Sequence, residues 1–236
     1  MYKGKTILGL ITARGGSRGI PRKNIKKLGD KPLIVYTIEA GKASQYLDRV
    51  VVSTDDQEIA DISRQFGADI PFMRPIELAG DKSTSIEVAQ HAISWLKERE
   101  KQEFDYLMIL QPTSPLRTIY DIDESIKKIV ETGADSLMGM MELVDFSVKK
   151  IKRIDNDLIM PWFTEEGQRS ASRQDLKKVY KRNCAIYLTR VDLIMRGDLF
   201  GKVSRPHIMS AERSVDINTP FDFELAEFLI RKKLNK

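Results

Sequence analysis

Short apolar segments alternate with segments of helical periodicity along most of the chain. The apolar segments, which predict strands, are residues 6–13, 49–56, 69–73, 104–115, 135–142 and 183–189. The valines of 49–56 suit a strand that is covered on both faces. This alternation predicts an α/β fold with a doubly wound, mostly parallel, Rossmann-like sheet, and in such sheets ligands gather at the carboxyl ends of the strands.

The periodic segments predict five helices, and two of them carry capping signals. The predicted helices cover 31–44, a segment after Asp56, 84–101, 119–132 and a last segment that opens at Thr219. Thr84 and Glu87 have the spacing of a capping box. Thr219 is a predicted N-cap, because Pro220 and Asp222 follow it at favourable positions.

One principal domain is expected for residues 1–236, because many α/β domains of this length fold around a single core. Residues 145–182 are an excursion within it, since this polar, basic and weakly periodic stretch is too long for an idle connection. Its two alternatives are a mobile substrate loop and an arm that reaches a neighbouring subunit.

The overall charge is modest, with 39 basic and 34 acidic residues and a net charge of +5. A dedicated nucleic-acid binder concentrates far more positive charge, so nucleic acid is not an expected partner. Cys184 is the single cysteine, which fits a reducing compartment. No apolar stretch approaches the ~20 residues that span a bilayer, so we expect a cytoplasmic protein with no membrane partner.

The stretch "ITARGGSRGIPRKN", residues 11–24, follows the first predicted strand. Adjacent Gly15 and Gly16 let backbone amides approach an anion, and Arg14, Arg18 and Lys23 can bind phosphate oxygens. The spacing matches neither a P-loop nor a dinucleotide fingerprint. The alternative is an ordinary glycine-rich turn with solvated basic side chains.

Other candidate residues also fall at predicted strand ends, and each has a structural alternative. Arg74 and the hydroxyls of residues 83–85 are candidates for nucleoside contacts, although a helix cap accounts for at least one hydroxyl. Gln111 lies in a rigid, proline-rich turn. Asp216 is a candidate metal ligand or a capping aspartate. Arg169 and Arg173 are candidates for a substrate carboxylate, and a solvated charge run is their alternative.

Six ordered blocks carry a resemblance to a known family. They are "ARGGSRGIPRKN", "VVSTDD", "RPIELAGDKSTS", "LQPTSPLRT", "SRQDL…NCAIY" and "SVDINT". Together they resemble the CMP-sialic acid synthetases, or acylneuraminate cytidylyltransferases, over nearly the whole chain. The resemblance implies a nucleotide-diphospho-sugar transferase-like fold, an enzyme that joins CTP to an acidic nine-carbon or related 2-keto sugar, a requirement for Mg²⁺, and a homodimer.

The resemblance also implies roles for individual residues. The loop residues Arg14, Gly15, Gly16, Ser17, Arg18, Lys23 and Asn24 would hold the CTP phosphates, with Lys23 and Arg14 as catalytic charges. Arg74, Ser83 and Ser85 match nucleoside contacts. Gln111, Arg173 and Tyr187 match contacts to the sugar, and Phe200 matches an aromatic residue contributed by a partner subunit. Asp216 and Asn218 match the metal position.

Three departures from the family pattern lie on the sugar side. Asn218 stands where many members have a second aspartate, Cys184 replaces a glycine, and residues 142–150 replace a histidine-rich block, with Lys149 or Lys150 as substitutes for its lysine. The acceptor is therefore left open between neuraminate, legionaminate and related sugars. Three other functions are alternatives. One is a CMP-Kdo-type enzyme, which the block "LQPTSP" disfavours. The others are a non-catalytic nucleotide-binding protein and nucleic-acid binding through residues 161–183.

Overall fold

The computed structural model describes residues 1–17, 19–144, 146, 151–162 and 178–234. The strands in these residues are β1 (Ile7–Thr12), β2 (Lys27–Leu28), β3 (Lys31–Pro32), β4 (Arg49–Ser53), β5 (Tyr106–Leu110), β6 (Ser136–Glu142), β7 (Lys152–Asp155), β8 (Leu158–Pro161), β9 (Tyr180–Arg190) and β10 (Ser204–Met209). The helices are α1 (Leu33–Lys42), α2 (Gln57–Gln65), α3 (Ser85–Glu100), α4 (Ile119–Thr132), α5 (Val191–Met195) and α6 (Pro220–Leu234).

The central sheet has six strands in the order β10-β6-β9-β5-β1-β4. The pairs β1–β4, β1–β5 and β6–β10 are parallel, whereas β9 runs antiparallel to both of its neighbours, β5 and β6. The predicted α/β fold with a mostly parallel sheet is confirmed. Because of its direction, β9 begins at the edge of the sheet where β1, β4 and β5 end.

Buried side chains pack on both faces of this sheet. One apolar cluster joins β1, β5 and β9 to α1 and α4, and a second joins the opposite sides of β1 and β5 to α3. A third cluster lies under α6 and includes Ile20, Leu116 and Ile217. Segments before and after the glycine-rich loop are therefore anchored in packed cores. Among the described helices, none has the length and apolar character that crossing a bilayer requires.

The capping signals in the sequence are confirmed. Thr84 and Glu87 form a reciprocal capping box at the start of α3. At α6, the Thr219 hydroxyl accepts a hydrogen bond from the Asp222 amide at 3.3 Å, and the Asp222 carboxylate accepts one from the Thr219 amide at 2.7 Å. These pairs fix the starts of two helices beside the candidate site.

The predicted strand at 69–73 is wrong. Only Asp69 makes an isolated bridge, to Val51, and Pro71 has no amide hydrogen to continue the ladder. Conversely, β10 escaped prediction because it contains Pro206, which is tolerated there since β10 lies at the edge of the sheet. The hairpin of β7 and β8 lies within the predicted excursion, most of which falls outside the described residues.

Candidate active site

A pocket of about 280 Å³ opens where β1, β4 and β5 end. Its lining includes eight of the residues to which the family resemblance assigns a role, together with Thr12, Gly80, Asp81, Thr84, Pro112 and Thr113. The eight are Arg14, Ser17, Lys23, Asn24, Arg74, Ser83, Ser85 and Gln111. The structure thus brings the phosphate and nucleoside candidates into one cavity at the carboxyl edge of the sheet.

Two hydrogen bonds between side chains and the backbone hold the glycine-rich loop after β1. The Gly15 amide donates to Asp55 Oδ1 at 3.1 Å, and the Asn24 side-chain amide donates to the Arg14 carbonyl at 3.0 Å. A Cβ atom at Gly15 would lie 2.7 Å from Asp56 Oδ2, so no larger residue fits without displacing that carboxylate. The loop is consequently held in a compact form that leaves Arg14 and Ser17 in the pocket wall.

The same loop packs directly on the segment that contains Asp216 and Asn218. A Cβ atom at Gly19 would collide with the Asn218 carbonyl oxygen, which explains a glycine at this position. The Ile217 peptide joins both sides, because its amide donates to the Thr113 carbonyl at 2.8 Å and its carbonyl accepts from Lys23 Nζ at 2.6 Å. Three parts of the chain therefore meet at the backbone of Ile217.

Lys23 is half-buried, and burial lowers the pKa of its ammonium group, although the Asp216 carboxylate opposes this effect. Asp216 Oδ1 is buried and has no hydrogen-bond partner among the described residues, while Asp216 Oδ2 accepts from the Asn218 side-chain amide at 2.9 Å. A partly desolvated cation and an incompletely satisfied carboxylate thus lie together, an arrangement that suits interaction with a further charged group.

The part of the chain that the structure describes contains no group of three or more acidic, histidine or cysteine side chains able to hold a metal by themselves. Asp216 and Asn218 nevertheless present hard oxygen atoms on neighbouring residues. Because one Asp216 oxygen lacks a partner, this carboxylate fits a divalent cation that takes its other ligands from water or from a bound phosphate. The Asn218 side chain turns its amide nitrogen toward Asp216, so its amide group would have to rotate for its oxygen to become a ligand.

Arg74 is held rigidly beneath the pocket. Its Nε and NH2 atoms donate to the Ser53 hydroxyl at 3.0 Å and to the Ser53 carbonyl at 2.6 Å. Burial lowers the pKa of this guanidinium group to about 10, and nearby Asp55 opposes the change. Of the neighbouring hydroxyls, Ser83 donates to the Glu77 carbonyl at 3.0 Å and Thr84 caps α3.

Gln111 follows β5 directly, and its backbone is fixed by a buried arginine. Arg117 NH1 donates to the Gln111 carbonyl at 3.3 Å and to the Ala185 carbonyl of β9 at 2.8 Å. This contact ties the end of β5 to the strand beside it. The Gln111 side chain is therefore presented to the pocket from a fixed backbone.

Of the sugar-side candidates, Gln111 lines this pocket, whereas Tyr187 and Phe200 lie outside its lining. The Tyr187 hydroxyl donates a hydrogen bond to Cys184 Sγ at 3.4 Å. Burial is the main cause that raises the pKa of Tyr187, and this hydrogen bond is the second. Cys184 has a left-handed φ of 61°. The Phe200 ring lies 5.5 Å from the Arg182 guanidinium carbon. Arg18, Lys149, Lys150, Arg169 and Arg173 lie outside the described residues.

Sequence reasoning missed the acidic partners of the loop. Asp56 proves to be the N-cap of α2, and it also pairs with Arg22. Asp81 pairs with Arg14 at 3.2 Å. Arg22 carries no motif signal, because a left-handed backbone conformation at a non-glycine residue cannot be recognised from composition.

The chain is similar to known cytidylyltransferases along nearly its whole length. The model of the family described as cytidylyltransferase matches residues 8–233. The chain is 33% identical to post-translational flagellin modification protein B of Campylobacter coli, covering 96% of each chain. It is also 33% identical to CMP-N,N'-diacetyllegionaminic acid synthase of Legionella pneumophila, covering 95% of this chain and 96% of that protein.

Among solved structures, the chain is similar to CMP:2-keto-3-deoxy-manno-octonic acid synthetase complexed with CTP. The TM-score is 0.72 at 15% identity, and the match covers 97% of this chain and 99% of that one. At this identity the likeness concerns the fold alone. The family match, by contrast, extends over nearly the entire sequence, and the chain belongs to the cytidylyltransferase family.

Proposed function

We propose that the protein transfers CMP from CTP to the anomeric hydroxyl of a nonulosonic 2-keto sugar acid and releases pyrophosphate. The observation that carries this proposal is the single pocket that gathers Arg14, Lys23, Arg74 and Gln111 at the carboxyl edge of the sheet. Two comparisons support it. The chain belongs to the cytidylyltransferase family, and its Legionella relative is named as a CMP-N,N'-diacetyllegionaminic acid synthase.

The glycine-rich loop binds the triphosphate in this proposal. The backbone amide of Gly16 and the side chains of Arg14, Ser17, Arg18 and Asn24 contact the phosphates. Arg74 and the Ser83–Ser85 segment contact the nucleoside from the opposite wall. The rigid attachment of Arg74 to Ser53 supports this role, because a preorganised donor loses little freedom when it binds a ligand.

The chemistry is an in-line displacement at phosphorus. The anomeric oxygen forms a bond to the α-phosphorus, the bond from that phosphorus to the pyrophosphate oxygen breaks, and the hydroxyl proton passes to solvent. Such transfers depend on positioning and on stabilisation of developing negative charge. Lys23 supplies the positive charge that stabilises it, and its contact with the Ile217 carbonyl holds its ammonium group at the pocket wall before substrate binds.

Asp216 and Asn218 hold Mg²⁺ in this proposal, and the buried, partnerless Asp216 Oδ1 supports the assignment. When bound, the ion neutralises phosphate charge. Asn218 contributes an oxygen without a negative charge, so the protein supplies one carboxylate instead of two at this position. One ion or two is a question for titration with CTP present.

The acceptor sugar lies toward β9. Gln111 faces it from the end of β5, Tyr187 contacts its body, and Arg173 pairs with its carboxylate. Cys184 beside Tyr187 makes this wall different from a glycine-lined one, and legionaminate or a related nonulosonate is a better candidate than N-acetylneuraminate. CTP is drawn from the cytoplasm, where the protein acts.

A homodimer completes the site in this proposal. The β7–β8 hairpin, which lies within the predicted excursion of residues 145–182, belongs to the arm that reaches the partner, and Phe200 enters the neighbouring active site. The exposed Ile154, Ile159 and Trp162 of the β7–β8 hairpin support an arm that is covered by another chain.

A pyrophosphate-release assay with CTP and Mg²⁺ tests the function against neuraminate, legionaminate, pseudaminate and Kdo. We expect release with at least one nonulosonate, little with Kdo, and a strong preference for CTP over ATP, GTP and UTP. Wild-type protein that binds CTP but releases nothing with any sugar would support the non-catalytic alternative. Equal use of another triphosphate would contradict the nucleotide assignment.

A further inference from the structure

Arg22, which precedes Lys23, has an unusual backbone conformation and a committed side chain. Its φ and ψ angles are 54° and 30°, in the left-handed region that non-glycine residues seldom adopt. It caps the short 3-10 turn of Lys23–Ile25 through its backbone, with no side-chain capping bond. Such a conformation persists only where the surrounding contacts impose it, and it is often found at functional sites.

The imposing contacts come from the start of α2. The Arg22 guanidinium pairs with both carboxylate oxygens of Asp56, at 3.0 Å for NH2 to Oδ1, and also pairs with Glu58. Asp56 simultaneously caps α2 by accepting from the Ile59 amide at 2.9 Å. The same carboxylate occupies the space beside Gly15. The ion pairs therefore fix Arg22 to the start of α2, and the Asp56 carboxylate also packs closely against Gly15 in the same loop.

These ion pairs distinguish Arg22 from the other cations of the loop. Two carboxylates engage its guanidinium, and Arg22 is not among the residues that line the pocket. Its neighbour Lys23 points the other way, with Nζ 2.6 Å from the Ile217 carbonyl and the pocket beside it. A left-handed residue followed by a turn reverses the chain within one residue, which separates the two side chains onto opposite sides of the loop.

We infer that Arg22, clamped by Asp56 and Glu58, is a positioning residue that aims Lys23 at the triphosphate. The inference rests on the proposed role of Lys23 in binding CTP. It assigns Arg22 no contact with substrate. When the ion pairs of Arg22 with Asp56 and Glu58 are lost, we expect Lys23 to leave the pocket wall. CTP affinity and turnover should then both fall, and only because Lys23 is displaced.

Calorimetric CTP binding by three variants tests this inference without any acceptor sugar. Arg22→Gly keeps the left-handed conformation but removes the clamp, and we expect ~5-fold weaker CTP binding. Arg22→Lys restores a single ion pair and should recover part of the affinity. Lys27→Ala removes an exposed lysine of the same segment and should bind CTP like the wild type. Thermal unfolding of each variant reports whether the fold survives.

The decisive comparison is made in the Lys23→Ala background. If Arg22 acts through Lys23, adding Arg22→Gly to Lys23→Ala leaves CTP affinity unchanged, because the aimed group is already missing. Independent effects that multiply in the double variant would overturn the inference. Failure of the wild type to release pyrophosphate with any sugar would instead count against the proposed function, since the binding comparison needs no turnover.

Where the wild type turns over a sugar, the kinetic constants add a second readout. We expect Arg22→Gly to lower kcat roughly 10-fold, because a small displacement of a catalytic charge costs transition-state stabilisation. In the Lys23→Ala background the same substitution should leave kcat unaltered. A fall in kcat of equal size in both backgrounds would show that Arg22 supports the fold in general and does not position Lys23.

Discussion

The two sides of the site are built differently. On the nucleotide side, loops after β1, β4 and β5 are fixed by backbone and short side-chain hydrogen bonds, such as Asn24 to the Arg14 carbonyl and Arg74 to Ser53. On the acceptor side, the wall is the start of the antiparallel strand β9, with a register shift opposite it and a strained Cys184. The proposed nucleotide side is thus held by hydrogen bonds between loops, several of them distant in sequence, whereas the proposed sugar wall depends on strand pairing.

This difference separates two kinds of change. A substitution on the nucleotide side should alter CTP use with every sugar, because the loops contact the common substrate. A substitution on the acceptor side should alter sugar use and leave the KM for CTP nearly constant. Lys23→Ala and Cys184→Gly test this separation, and Asp121→Asn, intermediate in expected effect, tests the packing of the fold beside the site.

Lys23→Ala should have the largest effect. If Lys23 acts as one preorganised charge donor, its removal costs ~2–4 kcal/mol of transition-state stabilisation, or about 10² to 10³ in kcat/KM. Steady-state pyrophosphate release measures this loss, and Lys27→Ala is the matched control because Lys27 is an exposed lysine nearby. Near-normal turnover of Lys23→Ala with CTP would remove Lys23 from the mechanism.

Asp121→Asn tests the buried cluster of Asp121, His207 and Arg213. Asp121 is fully buried at the start of α4, where its carboxylate contacts His207 of β10 at 3.1 Å and Arg213 at 3.2 Å. Burial alone would raise the pKa of Asp121, but hydrogen bonds from His207 and Thr118 outweigh it and lower the pKa to about 2. The cluster links β10 to the segment that precedes Asp216.

The lowered pKa sets the pH dependence of this contribution. Asp121 stabilises the folded protein fully above its unfolded-state pKa of ~4, and the contribution disappears as the pH falls toward about 2. We expect Asp121→Asn to lose ~2 kcal/mol in the free energy of unfolding at pH 7 and far less near pH 2. Urea unfolding at both pH values measures this, with Glu124→Gln as a surface control. A deficit independent of pH would contradict the account.

Cys184→Gly should have the smallest effect on the fold and should change only sugar use. Glycine adopts the left-handed φ of Cys184 without steric cost, so the free energy of unfolding should rise by ~0.5–1 kcal/mol. The KM for the sugar should change, because Tyr187 loses the sulfur that accepts its hydrogen bond. Cys184→Ala, which keeps the strain, is the control. A changed KM for CTP would break the separation between the two sides.

The sequence predicted the elements whose signals are local. The helix starts at Thr84 and Thr219 follow from cap spacing, and the glycine-rich loop follows from its composition and its position after β1. The antiparallel direction of β9 and the edge strand β10 were not recognised, because they depend on pairing between distant segments. Period and propensity carry no information about which strands become neighbours.

The candidate site shows the same limit. Residues of the ordered blocks converge in one pocket, but the Arg22 clamp and the partnerless oxygen of Asp216 are properties of three-dimensional contact. The roles of these residues remain predictions. Cys184 was visible in the sequence as a departure from the family pattern, whereas its strained backbone was visible only in the structure.

A crystal structure of the protein with CTP and Mg²⁺ tests the central claim most directly. We expect the triphosphate within hydrogen-bonding distance of Lys23 Nζ and of the loop at Gly15 and Gly16, with the base toward Arg74 and Ser85. The wall formed by Tyr187 and Cys184 should remain free for the sugar. A triphosphate bound away from residues 14–24, or a base stacked against Tyr187, would contradict this account.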